Sequence, residues 1–397
     1  MCDLKIGVIG SGGRGGLARY AHKPGEGSRI VACCDINPSV FELNRARYGD
    51  DLYVTTDYRE LLQRDLDAVF VTTPDFLHEE HAVAALEAGK AVYLEKPMAI
   101  TIAGCDRILR TAMEHDAVLT VGHNMRHFAV IRQMKELIDG GAIGQVKAAW
   151  CRHFVSYGGD AYFKDWHADR TKTTGLLLQK GAHDIDVLHW LCGGYAARVT
   201  AMGGLTLYDQ IADRHAPEER GDASFRQENW PPLAQTGLNP VLDVEDLSMM
   251  LMQLDNGVLA SYQQCHYTPD AWRNYTVIGT EGRIENFGDG IGEDSCVRLW
   301  NTRRDGYRPE ADRTFTMAHL EGGHGGGDPR IVAEFLRYVR EGGSILTSPV
   351  AARYSVAAGC MATESLRNGS LPMVVPPLDA DLRAHFDPAW DRRALWP

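Results

Sequence analysis

The sequence predicts an α/β chain of two domains: a doubly wound parallel sheet at the N-terminus, then an α+β domain built on a large, mostly antiparallel open sheet. Three observations carry this. Residues 5–123 alternate short apolar, β-branched runs with stretches of helical periodicity, as βαβ units do. The first run passes directly into a glycine-rich turn, Gly10-Ser11-Gly12-Gly13-Arg14-Gly15. From Val146 onward, apolar runs follow one another with short turns between them, the pattern of a meander.

In order, 6–9, 29–34, 53–55, 68–73, 91–94 and 118–121 are expected as parallel strands, and they are apolar almost throughout, as strands buried on both faces must be. Helices are expected at 76–88, where Leu77, His81, Ala84, Ala85 and Ala88 share a face, and at 101–114. The turn after the first run reads G-x-G-x-x-G and opens a helix. Gly10, Gly12, Gly13 and Gly15 let the backbone turn tightly and approach a pyrophosphate, while the helix N-terminus offers free N–H groups and a positive dipole end. Twenty residues beyond Gly15, Asp35 ends the second strand, placed to accept the ribose hydroxyls of an adenosine half; capping a helix is its alternative role. Together these predict a Rossmann domain over 1–123 that binds a dinucleotide. A carboxylate there repels a 2′-phosphate and Ile36-Asn37 supplies no cation, so NAD is favoured over NADP. Arg45 and Arg47 are the nearest groups that could offset it.

At the ends of the fourth and fifth strands stand Thr72-Thr73-Pro74-Asp75 with His78, and Glu95-Lys96-Pro97, where an open parallel sheet has its ligand crevice. The glycine turn, the Thr-Pro-Asp run with His78 and the Glu-Lys-Pro tripeptide resemble the Gfo/Idh/MocA oxidoreductases, the glucose-fructose oxidoreductase and inositol dehydrogenase group. The resemblance covers residues 4 to about 195 well and continues more loosely to about 370, and Glu-Lys-Pro is its most specific element. It implies that Arg14, Thr72, Thr73, Pro74, His78, Glu95 and Lys96 join the glycines and Asp35 around the cofactor. Lys96 becomes the expected catalytic residue, holding a substrate hydroxyl and assisting its proton transfer. Without the pattern it reads as a strand-end lysine paired with Glu95. Pro97 fixes the turn, with a cis Lys96-Pro97 bond open.

Gly122-His123-Asn124-Met125-Arg126 matches the family's linker, which assigns Asn124 to the cofactor and Arg126 to the substrate. Trp166-His167-Ala168-Asp169-Arg170 and the stretch from Gly175 to Trp190 resemble the segment whose helix presents an Asp and, four residues later, a His to the substrate. His183 stands at the histidine position and is expected to be catalytic, a structural histidine being the alternative. Four residues earlier the sequence departs from the pattern, with Gln179 in place of Asp. An amide orients but cannot accept a proton, so the relay is expected to run through Lys96 and His183, with Lys180 nearby. Gln179, His183, Asp186 and Trp190 share one helix face, and Lys180 with Asp184 reads equally as a surface ion pair. Trp166, Gln179 and Lys180 join Lys96, Arg126, His183 and His324 on the expected substrate side.

Further strands are expected at 146–154, 198–206, 245–254, 258–267, 272–279, 282–287 and 297–300, with Asp255-Asn256-Gly257 turning the third into the fourth. The resemblance implies that the open sheet face packs on a second subunit, giving a homodimer or homotetramer. Met249, Leu251 and Gln253 alternate with Met250, Met252 and Leu254, and helices of the same chain covering both faces is the alternative. Residues 208–243 are polar and aperiodic, expected as a lid or an arm to a neighbouring subunit. Asp328-Pro329 is expected to cap an amphipathic helix over 331–340, while the preceding glycines cradle a ligand with His324 on a substrate hydroxyl, or only shape the cap. A helix over 350–367 and an aromatic tail with Phe386, Trp390 and Trp396 follow. The expected division is 1–123 for the nucleotide, 124–371 for substrate and oligomerisation, and 372–397 as the tail.

Composition narrows the function. With 397 residues, 44% of them hydrophobic, the chain is neither disordered nor a small disulfide scaffold. Forty-one Lys+Arg against 53 Asp+Glu give a net charge of −12, which argues against a nucleic-acid or anionic-membrane partner. Nine cysteines without a C-x-x-C pair point to a reducing compartment and no metal site. No leader fits before the first strand and no apolar run approaches a membrane span, so a cytoplasmic location is expected. The expected activity is NAD-dependent hydride transfer to or from a secondary hydroxyl of a sugar, sugar derivative or cyclitol. Two alternatives stay open: a glycoside hydrolase or lyase that oxidises transiently and regenerates NAD, and a non-catalytic NAD-binding sensor.

Overall fold

A computed structural model of the chain describes residues 2–290 and 295–387; Trp390 and Trp396 of the expected tail lie outside them. Packing divides the chain into two compact units, one of residues 2–127, 321–353 and 378–387, the other of 128–320 and 354–377.

The first unit opens with β1 (Leu4–Ile9), β2 (Ser28–Cys34), α1 (Phe41–Tyr48), β3 (Tyr53–Thr55), α2 (Tyr58–Leu62), β4 (Ala68–Val71), α3 (His78–Glu87), β5 (Ala91–Leu94), α4 (Ile102–Glu114) and β6 (Leu119–Val121). The strands form one parallel sheet in the order β3-β2-β1-β4-β5-β6. The order reverses between β1 and β4, which is where such a sheet opens a ligand crevice. β4 stops at Val71, so Thr72 and Thr73 lie in the turn beyond it. The expected helix after the glycine turn, Gly13–Ala21, is a 3₁₀ helix. Gly13, Gly15 and Gly16 in its first turns disfavour a regular α-helix.

The second unit follows with α5 (Ala129–Asp139), β7 (Val146–Phe154), α6 (Gly158–Tyr162), α7 (Arg170–Thr173), α8 (Leu176–Gln179) and α9 (Gly181–Cys192). Then come β8 (Ala196–Gly204), β9 (Leu247–Leu254), β10 (Leu259–Cys265), β11 (Trp272–Gly279), β12 (Arg283–Phe287), β13 (Ser295–Trp300) and β14 (Arg313–Met317). After α10 (Gly327–Glu341) in the first unit, the chain runs through α11 (Pro349–Arg367), β15 (Met373–Val374) and α12 (Ala380–Phe386). The nine strands of the second unit lie in the order β14-β13-β12-β11-β7-β10-β9-β8-β15, antiparallel except for the β7–β10 pair. Asn256-Gly257 makes the expected hairpin turn, Gly257 with φ +83°.

One sheet face is buried, through Cys151, Met250, Met252, Tyr262, Tyr275 and Val277. The other leaves Met202, Met249, Leu251 and Leu259 exposed, by 69%, 51%, 61% and 59%. Among the described residues, helices therefore cover one face only. Residues 208–243 form a packed loop in which Tyr208, Ile211 and Leu238 join Phe163 and Leu176 in a core of their own.

Residues 321–353 pack with the first unit, although the sequence reads them as part of the substrate domain. Ile331, Val332, Phe335 and Leu336 make the apolar stripe of α10 and enter the core under β1, β4 and β5. The Phe335 ring meets Phe70 edge-on at 5.4 Å and Tyr93 at 5.8 Å. Phe335→Ala is therefore expected to cost about 3–5 kcal/mol, read as a lower urea midpoint. A midpoint shift of a few tenths would show that α10 is not part of this core.

Candidate active site

The turns leaving β1, β4 and β5 hold most of the residues expected around a cofactor. Gly10 ends β1 with φ +83°, which L side chains rarely adopt, and a Cβ there would meet Thr73 N at 2.8 Å. A Cβ on Gly15 would sit 2.2 Å from Gly10 O, whereas above Gly13 the space is open. The turn is a tight cradle with accessible backbone, and it fits the pyrophosphate of a dinucleotide. Thr72 donates its hydroxyl to Gly10 O at 2.9 Å, fixing the cradle to the end of β4. Asp35 accepts Gly12 N–H at 2.8 Å and Asn37 N–H at 2.9 Å, so it braces the glycine turn and does not cap a helix. Ile36 beside it is 87% exposed. An Arg47 nitrogen lies 3.6 Å from where a Gly16 Cβ would stand. A guanidinium is thus close to the turn.

Thr73 and Pro74 lie in the turn after β4, with the Thr73 hydroxyl 3.1 Å from His81 Nδ1. His78 is fully buried, Nδ1 2.7 Å from Pro97 O and Nε2 2.8 Å from Thr73 O. Expected as a cofactor contact, its ring instead ties the Thr-Pro-Asp turn to the Glu-Lys-Pro turn. The Lys96-Pro97 peptide is cis.

Arg14 joins these turns. Its Nε donates to Glu95 Oε1 at 2.6 Å, and its two terminal nitrogens fork onto Asp328 at 2.8 and 2.9 Å. Glu95 Oε2 accepts the Lys96 backbone N–H at 3.0 Å. Asp328 also accepts from Asn124 Nδ2 at 2.8 Å and faces His324 Nδ1 at 2.9 Å. Burial opposes charge on Arg14 and on Asp328, but Glu95 and Asp328 hold the arginine above its ordinary pKa, and His324 and Arg14 hold the Asp328 carboxyl well below its own. The sequence reads Asp328 as the cap of α10. The helix starts instead behind Gly326, in the left-handed region at φ +78°, and the Asp328 carboxylate turns to Arg14, where a charge-assisted fork outweighs a single backbone N–H. Pro329 falls in the first turn, where its missing N–H breaks no bond. His324, at φ +52°, stays half exposed, and buried Arg126 spends one nitrogen on Leu346 O at 2.7 Å. A cavity of about 400 Å³ lined by Lys5, His22, Arg29 and Arg64 lies toward the opposite strand ends, away from these turns.

In the second unit, the expected continuous helix is broken at Lys180 into α8 and α9. Gln179, Lys180 and His183 are all buried at this junction, and Trp166 opens a short turn with its ring stacked on His167 at 3.7 Å. Asp184 is no surface partner of Lys180. It is fully buried, 2.8 Å from Arg273 Nε and 3.1 Å from His153 Nδ1, and it accepts the Tyr275 hydroxyl. Burial resists its charge, but Arg273 prevails and holds the carboxyl well below the usual range. Burial and Arg273 together lower the His153 imidazole to about 3, leaving it neutral. Lys180 turns to Tyr157, its Nζ 3.2 Å from the hydroxyl. Asp328 as a partner of Arg14, Arg273 and Tyr157 were all missed in the sequence, each because its partner is distant along the chain.

The Asp328 carboxyl titrates lower in the folded chain than its ordinary value near 3.9, so its contribution is complete above about pH 5 and is lost as pH falls further. Asp328→Asn is expected to cost about 3 kcal/mol at neutral pH and to flatten the decline in stability between about pH 5 and 3, followed by urea midpoints across that range. An acid limb identical to the parent protein would show that the pair contributes nothing.

Comparison with known proteins bears on these findings. Two family models match, the NAD-binding Rossmann fold of an oxidoreductase family over residues 4–123 and its C-terminal alpha/beta domain over 135–375. YteT of Bacillus subtilis (strain 168) is 28% identical over 381 residues, 83% of this chain and 87% of YteT. The 2,7-anhydro-N-acetylneuraminate hydratase of Mediterraneibacter gnavus is 35% identical over 209 residues, 51% of this chain and 53% of the hydratase. The inositol 2-dehydrogenase/D-chiro-inositol 3-dehydrogenase of Halalkalibacterium halodurans is 37% identical over 194 residues, 47% of this chain and 52% of that enzyme. The matched stretch thus spans about half the length of these last two relatives. Levoglucosan dehydrogenase in complex with NADH superposes with a TM-score of 0.76 at 22% identity, over 94% of this chain and 99% of its own, a likeness of fold. With both domains matched in order along the chain, the protein belongs to the Gfo/Idh/MocA family of oxidoreductases, and its first unit is an NAD(P)-binding Rossmann domain.

Proposed function

We propose that this protein is an NAD-dependent dehydrogenase acting on a secondary hydroxyl of a sugar, sugar derivative or cyclitol, at work in the cytoplasm. The observation that carries this is Lys96 at the end of β5, its turn locked through Glu95 to Arg14 of the glycine cradle at 2.6 Å. A lysine so fixed is suited to binding and polarising a hydroxyl rather than to solvating a surface. Sequence relatives named as an inositol dehydrogenase and an anhydrosugar hydratase support a polyol substrate. Bound NAD supplies the hydride chemistry. The backbone N–H groups of the glycine turn hold its pyrophosphate, and Asp35 takes the ribose hydroxyls and repels a 2′-phosphate. Lys96 and His183 hold the substrate hydroxyl by hydrogen bonds and assist its proton transfer, and Gln179 orients the imidazole without taking its proton.

A second reading has one specific observation behind it: Gln179 stands where a carboxylate is expected, and the hydratase relative shares the family's framework. In that reading oxidation is transient, elimination or hydration follows, and NAD is regenerated. One experiment separates the readings. The purified protein is offered NAD with a panel of monosaccharides, inositols, anhydrosugars and glycosides, with NADH absorbance and product formation followed together. Accumulating NADH supports the dehydrogenase, product without NADH supports the recycling reaction, and tight NAD binding without turnover leaves a sensor. Lys96→Ala is expected to lower kcat/KM by about 10²–10⁴-fold with NADH affinity unchanged by fluorescence titration. Full turnover in that variant would remove Lys96 from the mechanism.

The exposed apolar sheet face supports a homodimer or homotetramer built through it. Leu251→Glu, 61% exposed on that face, is expected to yield monomers by light scattering while far-ultraviolet circular dichroism stays unchanged. An unaltered mass would place the interface elsewhere.

A further inference from the structure

Lys180 is a buried ammonium that lacks an ordinary counter-charge. It is 8% exposed, its Nζ lies 3.2 Å from the Tyr157 hydroxyl, and it sits over the rings of Tyr157 and Tyr162 at 5.4 and 5.3 Å. Among the described residues no carboxylate pairs with it. Two other charged groups face this place: Arg273 of β11, whose partners are Asp184 at 2.8 Å and Asp289 at 3.8 Å, and Asp289 itself, whose charge opposes ionisation of Tyr157. His266, just beyond β10, is fully buried and kept uncharged by that burial. Among the described residues Arg273 is thus met by carboxylates, whereas Lys180 has only two phenols against it. Cation–π contact and a neutral hydroxyl offset only part of the cost of desolvating an ammonium. A phenolate at Tyr157 would give the ammonium a counter-charge in direct contact, at 3.2 Å.

The turn that presents Tyr157 has no room to shift. A Cβ on Gly158 would stand 2.1 Å from His266 O, one on Gly159 would meet Gln235 Nε2 at 2.6 Å, and Val155 N–H bonds to Cys265 O at 3.0 Å. Lys180 follows Gln179 directly in the chain, so the ammonium stands next to the position where the family's carboxylate is missing.

We infer that Tyr157, paired with Lys180, is the group that exchanges a proton with the substrate hydroxyl, in place of the carboxylate that Gln179 has replaced. This rests on the dehydrogenase reading above. In the oxidising direction the substrate O–H bond breaks and its proton passes to the Tyr157 phenolate oxygen. The carbinol carbon gives up its hydrogen with both bonding electrons to the oxidised nicotinamide dinucleotide and becomes a carbonyl. The adjacent Lys180 charge, against burial, holds the Tyr157 phenol below its ordinary value, whereas burial pushes the Tyr162 phenol up.

The test has a readout independent of turnover. A pH titration of the tyrosinate ultraviolet band is expected to show one tyrosine ionising below the ordinary value near 10. That step disappears in Tyr157→Phe, moves upward in Lys180→Met and survives in Lys180→Arg, which keeps the charge. A titration unchanged in Tyr157→Phe overturns the proposal, whether or not any substrate is found. With a substrate in hand, Tyr157→Phe is expected to lower kcat about 100-fold or more with NADH affinity kept within threefold. Lys180→Met should shift the acidic limb of kcat/KM to higher pH, because oxidation needs the deprotonated phenol. Tyr157→Phe with the parent kcat and pH profile sinks the proposal and leaves the dehydrogenase reading standing. So does a Lys180→Met defect confined to KM for acidic sugars, which would make Lys180 a substrate-anion clamp. Absence of turnover with every polyol sinks the dehydrogenase reading instead, and the titration alone then decides whether Tyr157 and Lys180 form the pair.

Discussion

A single guanidinium holds the nucleotide half in order. The glycine turn has almost no side chains with which to fix itself, because its use depends on bare backbone. Arg14 is the exception, and its planar fork reaches Glu95 on one side and Asp328 on the other. Through Glu95 the grip passes to the backbone of Lys96, and through Asp328 to Asn124 and His324. A lysine at position 14 would supply charge without the fork, and the two carboxylates would be left buried with only one of them met. Position 14 therefore demands an arginine for geometric reasons as much as for charge.

The second unit handles its charges differently. Asp184, Arg273 and His153 form a closed set under the sheet, with the histidine neutral and the acid and base matched. This set is structural, since its members are spent on one another. Lys180 stands apart from it, with phenols for neighbours. The contrast between a satisfied ion pair and a cation left to aromatic partners is what separates scaffold from candidate chemistry in this unit.

Much of the fold was legible because burial imposes pattern. The six parallel strands are covered on both faces, so their sequences are apolar throughout and stand out from the helices between them. β14 and β15 were not legible: each is an edge strand, and an edge strand buries too little of either face to need alternation. Glycine turn, Asp35 and Glu-Lys-Pro were visible because their constraints are local. Asp328 was misread as a cap because the local rule is sound but the competing partner lies 314 residues away. Lys180 and Asp184 were paired by helical spacing, which assumes an unbroken helix. The break at Lys180 sends one to the phenols and the other into the core. Spacing rules fail where a backbone irregularity intervenes, and here that irregularity falls at the candidate site.

The chain path has a consequence for synthesis. The six-stranded sheet is complete once residue 121 has been made, yet the core beneath β1, β4 and β5 also needs Phe335, and the glycine turn needs Asp328. During translation the first unit must therefore wait, with part of its apolar surface open, while about two hundred further residues emerge from the ribosome. A fragment ending at the apparent domain boundary would share that defect permanently. The nucleotide half is thus not a module that can be cut out by its sequence limits, and any transplant of it has to carry the α10 segment along.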